Sequence, residues 1–481
     1  MQIKINETYS CKAIIMNDET VDYLASFKID GEYLTNIEVK NVDRNVFNKL
    51  SDLVSINIVV KLGEFITMVD CCLINYAFIG GPDIEDTEIN MFYESSLLLT
   101  DYIWNPSQDI NVDGIVCSIT QTTELLGFYP YIIKYDKSTY PKIECEINGD
   151  LITKTVGNGF SFFVAPSISN ESGEIHTTMY GRIQYSCKKT KGIGEIREII
   201  NGICLFFEVL SGEIITANEV YLNIGNQSSK IYGLYYYQKD YLKGLQQESD
   251  TRSYLRKRIF KASDFTNIES AIDVFIDNYK DSRLAFEAYK QILLDEEIRI
   301  STYNKFLKTM QVIEGIIRTP KDKEIENNFI EQKNEIIKKL DEKDGTFIKQ
   351  YTTYNGKSFR KCLKIFVRES MNIISGISYT EADKKSMELI EKIINDRDLY
   401  THASKEGVAK LSSEQLYKVN YCFKWFFRII VLKKMGLGET LIKSRLSFDS
   451  IFIDYYRTLF GLTINIKKRE INTGDFDSIM W

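Results

Sequence analysis

The sequence predicts an α+β fold of two domains: a β-rich N-terminal domain with one packed helix, and an all-α helical bundle at the C-terminus. Three observations support this. The chain has 481 residues, more than one ordinary core and about right for two or three domains. Hydrophobic residues make up 44%, enough to bury sizeable cores. The pattern changes from strand-like to helical near residue 241. We therefore predict an N-terminal domain at 1–240, a linker at 241–262 and a helical domain at 263–481.

The N-terminal half has the pattern of strands. Its clearest strand segments are rich in Ile, Val, Tyr and Phe and are separated by turn clusters such as GGPD and NGD. These segments are 65–78, 114–120 and 142–147. One helix is predicted at 195–210, where apolar residues recur at helical spacing. Gly212 supplies its stop, and strands resume at 214 and at 220–224.

The C-terminal half is dominated by helical periodicity, and turn residues become rare there. A polar stretch, LKGLQQESDTRSYLRKR, precedes the first helix and predicts a linker. The periodicity predicts helices at 268–278, 282–315, 321–342, 358–375, 381–401, 412–435 and 439–459. The segment 321–343 is strongly charged and has few apolar anchors, which is typical of a solvated surface helix.

The net charge of −7 hides a division between the two halves. Residues 1–240 contain 18 Lys and Arg against 32 Asp and Glu, a balance of −14. The remaining 42 basic and 35 acidic residues give 241–481 a balance of +7. Halves of opposite sign suggest separate roles, with the basic half facing a polyanion. A second interpretation stays open, because solvated helices are often rich in Lys.

Several classes of protein are disfavoured by the sequence. No run approaches the roughly 18 to 20 apolar residues of a membrane span, and the opening MQIKINETYS lacks the apolar stretch of a signal peptide. The nine cysteines contain no CxxC pair. Cys71 and Cys72 are expected on opposite faces of one strand rather than in a disulfide. These features favour a cytoplasmic protein without a membrane partner.

The chain has only two histidines, His176 and His402, which makes a His-rich metal site implausible. His176 lies in strand-like alternation and is interpreted as structural. The acidic groups at 83–88 and 475–477 contain hard oxygen ligands, but both are interpreted as solvated acids. KGIGE at 191–195 lacks the GK[ST] ending of a phosphate-binding loop. We therefore expect neither a metal nor another cofactor.

The helix that precedes His402 carries the clearest candidate chemistry. When it is advanced by about 100° per residue, Arg397 falls in the middle of its apolar face. A guanidinium at that position must be paired, because an unpaired buried charge is very costly. Asp398 lies four residues before His402, so the two side chains are neighbours on a regular helix. The carboxylate would then set the tautomer of the imidazole. The alternative is an ion pair of Arg397 with Asp398 or Asp396 beside a surface histidine.

The spacing of Arg397 and His402 adds a geometrical constraint. Five residues correspond to about 140° around a regular helix, so the two side chains diverge unless the helix breaks. A second copy of this helix, packed across a two-fold axis, would place both groups in one cleft. The apolar face that flanks Arg397 suits such packing. The spacing therefore predicts a homodimer or higher homo-oligomer with a shared site.

The segment RDLYTH at 397–402 resembles the signature of the HEPN ribonucleases, in which an Arg, followed by a polar residue, precedes a His by a short spacer. FRKCLKIF at 359–366 precedes it, and LYKVNYCFKWFFR at 416–428 follows it. This order is similar to the C-terminal HEPN domain of ApeA-type anti-phage defence proteins. The stretch 194–224, GEIREIINGICLFFEVLSGEIITANEVYLNI, resembles the β-rich domain of the same family.

The resemblance implies a metal-independent endoribonuclease that acts in abortive infection against phage. It implies catalytic roles for Arg397 and His402, with Asp398 as the supporting polar residue. Some HEPN proteins that are modified by a partner nucleotidyltransferase have a Tyr two residues after the His; Ser404 stands there, which disfavours that version. The implied partners are an RNA substrate and a phage-derived trigger.

Two further questions remain open at the level of sequence. Lys424 and Arg428, one turn apart on the following helix, could contact the RNA backbone, although snorkelling at the rim of an apolar helix is the favoured interpretation. The competing function is a non-catalytic module for dimerisation or RNA binding, in which Arg397 is an interface ion pair. A third interpretation makes the acidic N-terminal half a sensor that restrains the nuclease, and it predicts a fragment 241–481 more toxic than the full chain.

Overall fold

A computed structural model of the chain gives two compact units. The first comprises 1–204 and 215–250, and the second comprises 205–214 and 251–481. The structure describes residues 7–15, 22–29, 35–53, 55–62, 64–79, 88–95, 97–100, 111–119, 122–127, 131–136, 142–147, 153–157, 159–171, 174–233, 260–297, 301–318, 320–352, 358–401 and 407–464. The predicted α+β class, β-rich first and helical second, is confirmed.

The first unit is built on antiparallel strands. A 13-stranded sheet has the order β11-β12-β13-β8-β14-β15-β7-β5-β4-β1-β2-β3-β6, and β9 pairs with β10 separately. The strands are β1 Thr8–Ile15, β2 Asp22–Ile29, β3 Thr35–Val42, β4 Ile56–Leu62, β5 Glu64–Ile79, β6 Glu88–Ser95, β7 Leu97–Thr100, β8 Val112–Ile119, β9 Tyr131–Asp136, β10 Lys142–Ile147, β11 Thr153–Gly157, β12 Phe160–Glu171, β13 Glu174–Lys191, β14 Ala217–Ile224 and β15 Gln227–Gly233.

One end of this sheet closes on itself. β6 pairs with β3 on one side and with the second half of β5 on the other, which completes a ring through β4, β1 and β2. Alternate residues of these strands point inward and form one hydrophobic cluster, in which Phe27, Met68 and Tyr93 are almost fully buried. Closure pairs the edges that an open sheet would expose.

The strand predictions agree well with this sheet. The predicted segments 65–78 and 114–120 correspond to β5 and β8, and 142–147 coincides with β10. Cys71 is buried and Cys72 is exposed in β5, and neither is in a disulfide, as expected for two faces of one strand. Two short helices, α1 Arg44–Ser51 and α2 Thr122–Leu126, were not predicted.

The predicted helix at 195–210 is present as α3, Ile193–Ser211. It ends as expected at Gly212, which has φ +77°, a left-handed conformation that glycine adopts without penalty. The Gly212 amide donates to the Glu208 carbonyl at 2.8 Å. Residues 205–214, the last part of this helix and the turn after it, belong to the second unit.

The second unit is helical throughout its described part. The helices are α4 Ile268–Glu297, α5 Thr302–Ile317, α6 Pro320–Ile337, α7 Glu342–Tyr351, α8 Phe359–Ser375, α9 Tyr379–Thr401, α10 Ser413–Lys434, α11 Glu439–Leu446 and α12 Ser450–Phe460. The apolar core is centred on α10, where Phe423, Phe426 and Phe427 are buried. Phe426 stacks on Phe460, and Phe427 packs on Tyr289.

Two predicted helices are each two helices in the structure: 282–315 is divided between α4 and α5, and 439–459 between α11 and α12. The predicted 321–342 corresponds to α6, Pro320–Ile337, and reaches only the first residue of α7, Glu342–Tyr351, a helix that was not predicted. In each case a capping side chain starts the later helix. Ser301 accepts from Tyr303 N, Asp341 from Asp344 N and Asp449 from Phe452 N. Such caps satisfy amides that have no partner within the helix, while hydrophobic spacing passes over a short break.

The predicted interruption between 278 and 282 is confirmed. The φ and ψ of Ser282, −128° and 30°, are non-helical, so α4 consists of two helices that meet at a kink. The charged segment at 321–343 forms α6 and the start of α7, and its described side chains are mostly exposed, as expected for a solvated surface.

Candidate active site

The candidate site lies on the last turns of α9. The buried residues of this helix are Ala382, Ser386, Leu389, Ile390, Ile393 and Asp396, and the helix packs on α5, α8 and α12 of the same chain. The expectation that its apolar face would suit a second copy is therefore wrong for this face, because helices of its own chain already cover it. Met387, which the helical wheel placed on the apolar face, is 60% exposed.

Arg397 is paired, as its position on the helix required. Its Nη1 lies 3.3 Å from Asp398 Oδ1, and its Nη2 lies 3.9 Å from Glu314 Oε2. The guanidinium carbon lies 4.9 Å from the centroid of the Phe359 ring, within the range of a cation–π contact. The Arg397 side chain retains 29% exposure. The group is therefore held by neighbours and still open to solvent.

Three helices supply these contacts. Glu314 is in the last turn of α5, where it also pairs with Arg318 at 2.9 Å one turn further on. Phe359 is the first residue of α8, and the Ser358 side chain caps that helix by accepting from the Lys361 amide. The carboxylate of Glu314 thus lies between two guanidinium groups, both about 30% exposed. This arrangement places two cationic groups close together at the surface.

Asp396, the other carboxylate considered for Arg397, has a different role. It is fully buried, and its two oxygens accept from the main-chain amides of Lys410 and Leu411 at 2.7 and 2.8 Å. The neighbouring Tyr400 packs against Tyr303, with ring centroids 4.9 Å apart. Burial, and secondarily the nearby Asp396 carboxylate, raises the pKa of Tyr400 to about 12. The phenol is therefore neutral at physiological pH.

Several residues named from the sequence lie outside the described residues. His402 and Ser404 follow the end of α9 and are among them, so the proximity of His402 to Asp398 stays a prediction. The same holds for Asp83, Glu85, Asp86, Asp475 and Asp477.

His176 lies in β13, where its backbone is opposite Ser169 of β12. Within the described part of the chain, no group of His, Cys, Asp and Glu side chains could hold a metal ion.

Lys424 and Arg428 both have partners inside the second unit. Lys424 Nζ lies 2.6 Å from Glu296 Oε2, and its side chain is 11% exposed. Arg428 is 2% exposed. Its Nε and Nη2 donate to the carbonyls of Val209 and Leu210 at 2.9 and 2.6 Å. Arg428 therefore satisfies the end of α3, where carbonyls lack helical partners. RNA contact by these two residues stays a prediction, and this geometry does not favour it for Arg428.

The arrangement around Arg397 suits the binding of an anion. A guanidinium has five N–H donors in a planar fork, and two carboxylates and one ring do not exhaust them. Phosphate oxygens match that fork. Sequence reasoning missed Glu314 and Phe359, because neither is related to Arg397 by helical spacing. Their proximity arises only from the packing of α5 and α8 against α9.

Comparison with known protein families is consistent with this geometry. Residues 307–441 match the family described as Apea-like HEPN, and residues 13–272 match ApeA N-terminal domain 1. The first match contains Arg397, Asp398 and His402, and the second covers more than half of the chain. The fold and the site thus define a protein with a HEPN nuclease-type domain. The chain belongs to the ApeA family, whose two domains indicate a role in anti-phage defence.

Neither a curated protein nor a solved structure matches the chain. Among the helices that the structure describes, none combines the length and the apolar character that crossing a membrane requires.

Proposed function

We propose that this protein is a metal-independent endoribonuclease that cleaves RNA in the cytoplasm during abortive infection by phage. The observation that carries the proposal is the setting of Arg397: a guanidinium held by Glu314, Asp398 and Phe359, still 29% exposed, in the part of the chain that matches the HEPN family. Such a group can grip a phosphate without leaving its place in the fold.

The proposed reaction uses the RNA as its own nucleophile. The 2′-hydroxyl attacks the adjacent phosphorus, the bond to the 5′-oxygen breaks, and the products are a 2′,3′-cyclic phosphate and a 5′-hydroxyl. Because the nucleophile belongs to the ribose, a metal-bound water is not needed and DNA is not a substrate. His402 moves a proton, either from the 2′-hydroxyl or to the leaving oxygen, for which an ordinary histidine pKa of about 6.5 is suitable.

Arg397 stabilises the negative charge that the phosphorane transition state adds. Its planar fork engages the non-bridging oxygens, and donors fixed before the reaction need no reorganisation during it. Asp398, bonded to Nη1, restrains the orientation of that fork. In this proposal Glu314 balances the charge of Arg397 until the phosphate arrives.

The proposed assembly is a homodimer or higher homo-oligomer, since HEPN domains generally bind RNA and often dimerise. The N-terminal domain is proposed as the sensor of a phage-derived trigger. The charge division supports this, because an acidic half at −14 complements a basic half at +7 and could mask it from RNA. The sensing role and the cleavage reaction are separable and are tested separately.

The test of cleavage uses the purified full chain, Arg397→Ala and His402→Ala. Each is incubated with total cellular RNA and with single-stranded DNA, with and without EDTA. We expect the wild type alone to cut RNA, equally well in EDTA, and to leave cyclic phosphate ends. Equal cleavage by His402→Ala and the wild type would contradict the nuclease assignment. RNA binding without cleavage by all three proteins would favour the non-catalytic module, and loss of cleavage in EDTA would exclude a metal-independent reaction.

A further inference from the structure

A second guanidinium group lies beside Arg397. Arg318 is the C-cap residue of α5, and its main-chain N–H donates to the Glu314 carbonyl at 3.1 Å. Its Nη2 also lies 2.9 Å from Glu314 Oε1, while Arg397 Nη2 lies 3.9 Å from Glu314 Oε2. The two oxygens of one carboxylate therefore face different arginines, one at the end of α5 and one on α9. Arg318 is held at this position by its backbone as well as by its side chain.

This cluster of ion pairs is open to an incoming anion. The side chains of Arg318, Glu314 and Arg397 are each 29 or 30% exposed. The separation of 3.9 Å between Arg397 and Glu314 is longer than a hydrogen bond, and an exposed pair one turn apart, such as Arg318 with Glu314, contributes little to stability. A guanidinium has five N–H donors, so it can bind a carboxylate and a phosphate at once. An anion can therefore bind either arginine while Glu314 keeps both of them in place.

The end of α5 does not by itself account for this arrangement. A cation in the last turn of a helix is favoured by the helix dipole, and the contacts of Arg318 with Glu314 are sufficient for that. Arg397 comes from another helix and has a second carboxylate, Asp398, at 3.3 Å. A carboxylate between two guanidinium groups reduces their mutual repulsion, so they can lie close together. Two planar forks side by side match two consecutive phosphates of one strand, since each fork binds the oxygens of one phosphate.

We propose that Arg318 is a second RNA-binding residue, which binds a phosphate next to the one that Arg397 binds. This inference rests on the proposed function and narrows its substrate: the strand must carry a charged phosphate on at least one side of the scissile one. The phosphate at Arg318 does not react, so it is bound equally in the ground state and in the transition state. Such uniform binding lowers KM and leaves kcat unchanged, which distinguishes the role of Arg318 from that of Arg397.

The first test measures binding and does not require cleavage. A labelled 2′-O-methyl RNA of mixed sequence, in which the 2′-hydroxyl is blocked, is titrated with the full-length wild type, Arg318→Ala and Arg283→Ala at several salt concentrations. Arg283 is the matched control, because it is exposed on α4 and also pairs with a glutamate one turn away, Glu287. We expect Arg318→Ala to bind roughly tenfold more weakly, with a log–log salt dependence that is shallower by about 0.7. Arg283→Ala should bind like the wild type.

The second test measures cleavage and changes the RNA instead of the protein. In an RNA that the wild type cuts at a mapped bond, the phosphate on one side or the other of the scissile one is replaced by an uncharged methylphosphonate. We expect one of the two replacements to raise the KM of the wild type roughly tenfold. The same replacement should have little effect on Arg318→Ala, which has already lost that contact. If Arg318→Ala does not fold, the wild type alone decides, and no rise in KM at either position would overturn the proposal.

The outcomes separate the role of Arg318 from the proposed function. Wild-type affinity in Arg318→Ala, an equal loss in Arg283→Ala, or an equal effect of the methylphosphonates on Arg318→Ala and the wild type would overturn the proposal for Arg318. Cleavage by the wild type in any of these cases would leave the nuclease function standing. A wild type that binds the blocked RNA through Arg318 but cuts no RNA would contradict the proposed cleavage alone, and one that neither binds nor cuts RNA would contradict both.

Discussion

At the scale of single residues, Arg397 shows how a charged side chain can occupy a helix face that is otherwise apolar. The free-energy cost of placing this charge there is reduced by the carboxylates of Asp398 and Glu314 and by the ring of Phe359. The side chain also keeps 29% of its surface exposed to solvent. An ion pair of this exposure adds little to stability. The arrangement is therefore better explained by a need to hold a guanidinium at the surface in one orientation.

The first expectation concerns Arg397 itself. Arg397→Ala should lower the rate of RNA cleavage roughly 10² to 10³-fold. Losses of this size follow when an enzyme loses a hydrogen-bond donor to the negative charge of the transition state. Arg397→Lys should recover only part of that loss, because an ammonium keeps the charge but cannot engage two oxygens in a planar fork. Single-turnover cleavage of a labelled RNA measures both.

The control for Arg397 is Arg360→Ala. Arg360 is an exposed cation at the start of α8 that pairs with Glu391, so its removal alters charge near the site without touching Arg397. We expect wild-type cleavage and a similar free energy of unfolding. An Arg397→Lys variant with full activity would show that only charge matters, which would refute the proposed bidentate grip.

At the scale of elements, the end of α3 depends on a side chain from α10. Arg428 donates to the carbonyls of Val209 and Leu210, and it stacks 4.1 Å from the Trp425 ring. Gly212 makes this approach possible, since a Cβ there would lie 2.4 Å from Arg428 Nη1. The turn after α3 and the buried arginine therefore require each other.

The second expectation follows from this contact. Arg428→Ala should lower the free energy of unfolding by about 2 to 4 kcal/mol, because it removes two charge-assisted hydrogen bonds and leaves two buried carbonyls without that partner. Urea unfolding followed by circular dichroism measures the change. Arg457→Ala, at an exposed position in the last turn of α12, should change it by less than about 0.5 kcal/mol.

A salt titration of RNA binding by the same two variants tests the predicted RNA contact of Arg428. A phosphate contact would appear as a salt dependence of RNA affinity that is shallower by about one ion in Arg428→Ala. If the salt dependence of Arg428→Ala becomes shallower while its free energy of unfolding equals that of Arg457→Ala, the RNA contact would be supported and the structural role of Arg428 would be wrong.

At the scale of the whole molecule, the apolar face of α9 is covered within the chain, so a shared site needs a different surface.

The third expectation separates a shared site from a site within one chain. Arg397→Ala and His402→Ala, each inactive alone, are mixed and allowed to exchange subunits. If Arg397 of one chain acts with His402 of another, about a quarter of wild-type activity should return, because half of the dimers are mixed and each has one intact site. No recovery in exchanged dimers, verified by differently tagged chains, would place the site in a single chain.

The fourth expectation concerns restraint by the N-terminal domain. The structure changes the fragment to be tested, because residues 205–214 belong to the helical unit and receive Arg428. A fragment 241–481 lacks these carbonyls and should be unstable. A fragment 193–481, which keeps all of α3, should be more toxic to cells than the full chain if the acidic domain restrains the nuclease. Toxicity should vanish with His402→Ala; a folded but harmless fragment would count against restraint.

Much of the fold could be predicted from hydrophobic spacing, because each element must bury one face. β10 has its predicted bounds, and α3 ends at the predicted glycine. The errors lie where two helices are separated by a short polar break and the apolar residues keep the same helical spacing across it. Ser301 and Asp449 each cap a new helix within a segment that was predicted as one helix. A cap acts on a few amides, whereas periodicity averages over several turns.

The sequence by itself determined the α+β class, with strands first and helices second, and Arg397 as a cation that must be paired. Each follows from local rules of spacing and burial, which need no knowledge of distant contacts. Only the tertiary structure decided which groups pair with Arg397, that α9 is covered by its own chain, and that Asp396 binds the entry to α10. Those contacts join residues far apart in the chain, such as Glu314 and Arg397, and their proximity is a product of packing that no spacing encodes.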